Sequence, residues 1–324
     1  MNFFPKTIIV TGPTATGKTA LAVALAEKFG GEIISVDSRQ VFRGMDIGSG
    51  KDLSEYGNVP YHLIDVAEPG EPYDLFSFVQ DARRALAEIV QRKKLPILCG
   101  GSVLYLDALL KGYTLAGAKP DMELRTKLDK LSLAELNRKL DELAPTDLAG
   151  FKDRDNAVRV RRAIENTLAT GRAVSLSAEA GLLDNSLVLG VYFPRKTVHE
   201  RVEKRLDARF ENGMAEEVKN LHDIQNVSYE KLEFFGLEYR EISLYLQGKC
   251  SFEEMRQNLL DKIRQFAKRQ DIFFRKIERS GQDIYWCREG KEPDPAELVR
   301  KFLNGEKLPE ITFRLADVNY GKKK

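Results

Sequence analysis

The octapeptide Gly12-Pro13-Thr14-Ala15-Thr16-Gly17-Lys18-Thr19 constrains the fold most, because it joins an apolar run, Ile8-Ile9-Val10, to a helical run over residues 20–29. The pattern G-x-x-x-x-G-K-[ST] between strand and helix is a loop that wraps an anion. Its glycines let the backbone turn tightly, its N–H groups point into the concavity, and the following helix adds its positive end. Lys18 supplies a mobile point charge for the outer phosphates, and the Thr19 hydroxyl is placed to ligate Mg²⁺. All eight residues from Gly12 to Thr19 are therefore candidates for holding a polyphosphate or diphosphate. The loop leaves the reaction itself open.

The segments that follow repeat the strand–helix alternation. Strands are expected at residues 32–36, 62–66 and 96–99, with helices over 75–92 and 103–110. Strands alternating with helices imply an α/β fold, a parallel sheet flanked by helices in the manner of phosphate-loop nucleotide-binding proteins. Ligands in such sheets gather beyond the carboxyl ends of the strands. The loop at 12–19, Asp37 and Gly100-Gly101-Ser102 should then meet at one crevice. Residues 114–185 change character: they are charge-rich, with Leu124, Leu128, Leu131, Leu136, Leu140 and Leu143 at helical spacing. They read as an all-helical insertion between two parts of a core, residues 1–113 and 186–324. The core resumes with a buried strand at 187–193, runs helical to Glu278, adds a strand at 283–287 and closes with a helix over 295–303.

Composition excludes several classes. With 43% hydrophobic and 31% charged residues the chain has ample core but no run approaching a membrane span. The segment before the first strand is too short for a signal peptide. Cys99, Cys250 and Cys287 are scattered without metal or redox spacing, and His62, His199 and His222 are equally dispersed, so a cytoplasmic protein with reduced thiols is expected. The net charge of +2 hides clustering, since residues 256–279 hold eight basic residues against three acids. Arg154, Arg159, Arg161 and Arg162 form a second cluster and residues 195–209 a third, a localised polyanion footprint. In residues 262–277, Ile263, Phe266, Ala267, Gln270, Phe274 and Ile277 form one packing stripe. Two rows of cations, Lys262, Arg269, Lys276 and Arg264, Lys268, Arg275, should face phosphates.

Asp37 ends the second strand beside the phosphate loop. Its carboxylate can hold Mg²⁺ through water, cap a helix or act as a general base. The sequel Ser38-Arg39-Gln40 adds a hydroxyl, a cation and an amide, and Gln40 offers the paired donor and acceptor that read a nucleobase edge. The strand at 96–99 ends in Gly100-Gly101-Ser102, where a phosphoryl-transferring enzyme would carry a further acid. That substitution favours a transferase with a small or flipped-out acceptor.

At these residues the chain resembles the tRNA dimethylallyltransferases, also called tRNA isopentenyltransferases. Residues 12–19 match the family's GPTASGKT with one Ser-to-Thr change at Thr16, and residues 37–48 resemble its DSxQVYRGMDIGT block. Residues 61–66 are similar to HHLIDI, 99–106 to GGTGLYL, 156–165 to NxxRxxRALE, and 264–270 to RxxAKRQ. Departures are Ser49-Gly50-Lys51-Asp52 for Thr-Ala-Lys-Pro, Ser102 for Thr, Phe235-Gly236-Leu237 for Ile-Gly-Tyr, and Ile263 for the Thr before the basic helix.

The resemblance implies transfer of a dimethylallyl group from its diphosphate to N6 of the adenosine 3′-adjacent to a tRNA anticodon. It implies Asp37, Lys18, Thr19 and Arg205 as the catalytic set, Mg²⁺ on Thr19, and dimethylallyl diphosphate on residues 12–19. It implies tRNA contacts from Asp37, Ser38, Arg39, Gln40, Ser102, Arg125, Arg159, Arg162, Arg264, Gln265, Lys268 and Arg269. A monomer acting on the anticodon stem-loop in the cytoplasm is the corresponding expectation. Three rivals remain open: an adenylate isopentenyltransferase using free AMP, ADP or ATP, a small-molecule phosphate-loop kinase, and a non-catalytic RNA-binding protein that kept its nucleotide pocket.

Overall fold

A computed structural model describes residues 5–110, 121–143, 151, 154–171 and 183–318. The elements in chain order begin β1 (Thr7–Thr11), α1 (Lys18–Phe29), β2 (Gly31–Ser35), β3 (Tyr61–His62), α2 (Leu75–Gln91), β4 (Leu95–Cys99) and α3 (Val103–Leu110). Three helices follow, α4 (Met122–Leu128), α5 (Leu133–Leu143) and α6 (Ala157–Thr170). After β5 (Ser186–Tyr192) come α7 (Arg195–Glu211), α8 (Met214–Asp223), α9 (Tyr229–Phe235), α10 (Leu237–Leu246) and α11 (Phe252–Arg279). The chain then forms β6 (Tyr285–Arg288) and α12 (Pro295–Asn304).

All six strands are parallel, in the order β3-β2-β4-β1-β5-β6. The central strands are buried on both faces, which is why they read as continuous apolar runs rather than alternating ones. The order places β4 between β1 and β2, so the loops leaving β1 and β4 diverge to opposite sides. That divergence opens a crevice at the carboxyl ends of the strands. The expected α/β fold is the observed one. Ile8, Val10, Ile97, Leu187 and Leu189 pack with Ala22, Leu25 and Ala26 of α1 and Leu298 and Val299 of α12. A second core joins Val41, Phe42 and Met45 to α7 through α11, through Val202, Leu206, Tyr239, Leu259 and Ile263 among others.

The expected strand at 62–66 is shorter than its apolar pattern implied. Leu63 and Asp65 take left-handed backbone conformations (φ 62° and 56°), which end the strand after His62. The helix α11 starts at a capping box, the Ser251 hydroxyl accepting from the Glu254 N–H and the Glu254 carboxylate from the Ser251 N–H. Its buried stripe includes Ile263, Ala267, Gln270, Phe274 and Ile277 as expected, while Phe266 is only half-buried.

The chain divides into two compact units, residues 1–110 with 182–324, and residues 111–181. In the second, Leu128, Leu136, Leu140, Val160, Ala163 and Ile164 form a small core shared by α4, α5 and α6. The insertion boundary expected at residue 113 and the basic residues 322–324 lie outside the described residues.

Candidate active site

The crevice holds a cavity of about 930 Å³. Its lining brings together Thr14, Ala15, Gly17, Lys18 and Thr19 of the phosphate loop, Asp37 to Gln40 after β2, and Cys99 to Ser102 after β4. It also includes Arg201, Arg205 and Arg209 of α7, residues 234–240, and Lys262, Gln265, Arg269 and Gln270 of α11.

Local sequence explains the first part of this lining. Gly12 has φ +145°, and a Cβ there would lie 2.7 Å from the Val191 carbonyl oxygen, so neither the turn nor the contact with β5 admits a side chain. The Thr16 hydroxyl donates to the Pro13 carbonyl at 2.9 Å, closing the loop on itself. Gly100 runs against β2, where an added Cβ would meet the Val36 carbonyl oxygen at 2.1 Å. The Thr11 hydroxyl donates to the Gly100 carbonyl at 2.9 Å, tying the β1 and β4 exits together. The Ser102 hydroxyl accepts the Ser38 N–H at 3.0 Å, which fixes the segment after Asp37.

The charged groups are tuned by burial. Lys18 donates to the Pro13 carbonyl at 2.8 Å, and burial brings its ammonium down to about 8, with Cys99, Arg205 and Asp37 modulating it electrostatically. Asp37 accepts the Arg39 N–H at 2.8 Å, and burial pushes its carboxyl above the ordinary range against the pull of that bond and of Arg39 and Lys18. Arg205 donates to the Thr14 hydroxyl, and burial lowers its guanidinium to about 10. Arg201 donates to the Ala15 carbonyl at 2.6 Å and lies over the Phe193 ring. The Thr19 hydroxyl is within hydrogen-bonding reach of the Cys99 thiol, which burial holds up at about 12 and so keeps protonated.

Several predicted residues have partners inside the protein. Gln40 spends its amide inside the protein: its Nε2 donates to the Gly50 carbonyl at 2.8 Å and its Oε1 accepts from Ser35 at 2.7 Å. Arg264 is held by Glu203 at 2.8 Å, because α7 presents an acid beside that row of α11. Lys262 pairs with the buried Glu241, and Arg275 donates to the Val318 carbonyl at 2.6 Å. Of the two expected cation rows, Lys268, Arg269 and Lys276 are the exposed members, and Gln265 is exposed beside them. In the helical unit, Arg125 makes a two-pronged contact to Glu165, 2% exposed, and Arg162 donates to the same carboxylate at 2.9 Å. Arg159 lies on the same helix, α6, and is exposed.

Three supports escape sequence reasoning. Lys51, 1% exposed, donates to the Phe42 carbonyl at 2.7 Å and to the carboxylates of Asp46 and Asp65. Glu217 accepts the backbone N–H groups of Asp46, Ile47 and Gly48 at 2.8, 2.6 and 3.1 Å and the Tyr239 hydroxyl at 3.0 Å. Gln270 bridges the loops after β1 and β4. The one signal available was an amide inside an otherwise apolar stripe.

Among the described residues no group of three or more His, Cys, Asp or Glu side chains could hold a metal. No described helix is long and apolar enough to cross a membrane.

Residues 40–277 match the IPP transferase family model, and residues 5–57 match a model described as isopentenyl transferase. The chain is 46% identical over 282 residues to tRNA dimethylallyltransferase 2 of Shewanella sediminis, covering 86% of this chain and 92% of that one. It is 43% identical over 286 residues to tRNA dimethylallyltransferase 1 of Hahella chejuensis, covering 88% and 93%. The full-length tRNA isopentenylpyrophosphate transferase of Bacillus halodurans superposes with a TM-score of 0.66 at 30% identity, covering 94% of this chain and 96% of that one. On a family model that spans most of its length and on relatives this similar, the chain belongs to the IPP transferase family.

Proposed function

We propose that the protein transfers a dimethylallyl group from dimethylallyl diphosphate to N6 of the adenosine 3′-adjacent to a tRNA anticodon. The observation that carries the reading is one cavity in which a phosphate loop meets a half-buried carboxylate, Asp37, with glycines where β4 would otherwise end in an acid. The loop N–H groups, Lys18 and Arg205 hold the diphosphate and take up its charge as the C–O bond breaks and the electron pair leaves with oxygen. The N6 nitrogen forms the new C–N bond and gives its proton to Asp37, whose carboxylate burial makes more basic than an ordinary aspartate. The adenosine must leave its stack to reach this depth. Gln40 shapes the wall by holding Gly50, while Ser38 and Arg39 contact the base.

The divalent ion this chemistry calls for fits the donors present. Thr19, Asp37, Asp52 and Glu55 all line the cavity and all offer oxygen. Mg²⁺ keeps several waters and takes its remaining ligands from one or two protein oxygens and from phosphates, so a sparse oxygen set suits it. We assign Thr19 as its protein ligand; when bound it would neutralise diphosphate charge. Lys268, Arg269 and Gln265 of α11, with Arg125, Arg159 and Arg162 of the helical unit, supply the tRNA contacts of a cytoplasmic monomer.

Incubation with labelled dimethylallyl diphosphate and unmodified tRNA, followed by nucleoside analysis, should give N6-isopentenyladenosine and free diphosphate. Label transfer to AMP without RNA, or phosphate transfer from ATP instead, would replace the reading with one of its rivals.

A further inference from the structure

Gln270 is 2% exposed on α11, in a stripe otherwise filled by Ile263, Ala267, Phe274 and Ile277. Packing alone would be served by another apolar residue there, since a buried amide is tolerated only when it is hydrogen-bonded. Both of its bonds go to loops at the crevice. Its Oε1 accepts the Thr14 N–H at 2.8 Å, and its Nε2 donates to the Gly101 carbonyl at 2.9 Å. Glutamine is the side chain that presents one acceptor and one donor from a single planar group at this reach. A Cβ at Gly101 would come within 2.6 Å of that Nε2, so the glycine leaves room for the amide. The amide thus pins the loop after β1 to the loop after β4 where the two diverge. Thr14, fixed at its N–H by Gln270, accepts from Arg205 through its hydroxyl.

From this chain of contacts we infer that Gln270 is a positioning residue for the departing diphosphate, acting through Thr14 on the aim of Arg205. The inference rests on the diphosphate role proposed above for the loop and Arg205. It adds a link between α11, the helix that carries Lys268 and Arg269 outward, and the group that receives the leaving charge. Removing the amide leaves the Thr14 N–H and the Gly101 carbonyl without their partner and lets Thr14 turn. A small misplacement of a charge-stabilising group is costly even when the group itself is intact.

The test is a double-mutant cycle in the full chain with inorganic diphosphate as the probe, read by calorimetry. Gln270→Met should weaken diphosphate about tenfold, the size expected for one lost buried hydrogen-bonding arrangement. In the Arg205→Ala background the same change should cost less than about twofold, because the two residues act in series. Affinity for an unmodified anticodon stem-loop should stay within about twofold of wild type, which a distorted α11 would not allow. Additive losses, or an RNA loss as large as the diphosphate loss, would overturn the inference. If the Met variant fails to fold, Gln270→Leu, which likewise removes the acceptor for Thr14, runs the same cycle. Because the probe is diphosphate, a wild-type protein that binds it but prenylates no tRNA would sink the functional reading and leave this inference standing.

Discussion

The strand-end part of the cavity, residues 12–19, 37–40 and 99–102, is made largely of backbone, and Thr16, Lys18, Asp37 and Gln40 bond partners within ten residues. The helical part, drawn from α7, α9, α10 and α11, is made of long side chains whose partners lie far off in sequence. Arg205 meets Thr14 across 191 positions and Gln270 meets Thr14 across 256. The first is therefore a property of short segments, which any fold preserving strand, turn and helix would keep. The second exists only when the sheet and the helical layer are assembled together. In the reaction proposed above the division also runs through the chemistry: the strand-end part accepts the proton and, with Arg205, the diphosphate charge, while the helical part carries the exposed cations.

The largest effect should come from the strand-end part. Asp37→Asn keeps the shape but cannot accept the N6 proton, so kcat should fall roughly 10²- to 10⁴-fold. Its tRNA affinity should remain within a few-fold of wild type. Single-turnover transfer separates the two, and a variant with near-normal kcat would remove Asp37 from proton transfer.

The same division explains what was legible beforehand. The loop at 12–19, Asp37 and Gly100-Gly101 were readable because contiguous residues specify each, and the parallel sheet followed from the alternation of apolar runs. Leu63 and Asp65 cut β3 short because an apolar pattern reports burial, whereas the strand also needs backbone dihedrals that the loop around Lys51 overrides. Arg264 belonged to a cationic row by helical period, yet the period says nothing about the neighbouring helix, and Glu203 captures it. Gln40 looked like a base reader because of its amide, but Ser35 and Gly50 occupy that amide on both sides. Glu217 escaped notice because its backbone partners lie up to 171 positions away, in a loop that only the tertiary fold brings close, and Lys51 because its nearby partner Asp46 does not show that the ammonium is buried.

An intermediate effect should come from pH, and it isolates Lys18. Burial lowers its ammonium to about 8, against an ordinary value of 10.5, and a bound diphosphate must raise it. Below pH 8 the charge is already present and affinity for inorganic diphosphate should be flat with respect to this group. From pH 8 to 9.5 binding must take up a proton, so affinity should fall by up to about tenfold per pH unit. Lys18→Arg should abolish that slope, since its guanidinium stays charged. Stability runs the opposite way: the unfolded chain holds the Lys18 proton more tightly, so this residue's penalty is present below pH 8 and relieved as pH rises towards 10.5. A diphosphate affinity that does not change between pH 8 and 9.5 would show that Lys18 does not carry the charge assigned to it.

The smallest effect should come from the helical part, at Phe234. Its ring is 75% exposed although it lines the cavity, with the Lys231 ammonium 5.9 Å from its centroid. Neighbouring Phe235 is buried under Arg39 and packs against Phe42, so the two adjacent rings divide into one that builds the core and one that faces outward. An exposed ring beside a cation at the rim of the proposed adenosine site is suited to stack on a base next to the one that would enter. Phe234→Ala should weaken binding of an anticodon stem-loop about fivefold, near the lower end of about 1–3 kcal/mol per stacked base, and Phe234→Trp should restore it. Diphosphate affinity should not move in either variant. An equal loss for RNA and diphosphate would mean that the ring supports the cavity wall as a whole, and the separation between a part that receives charge and a part that reads RNA would not hold at this position.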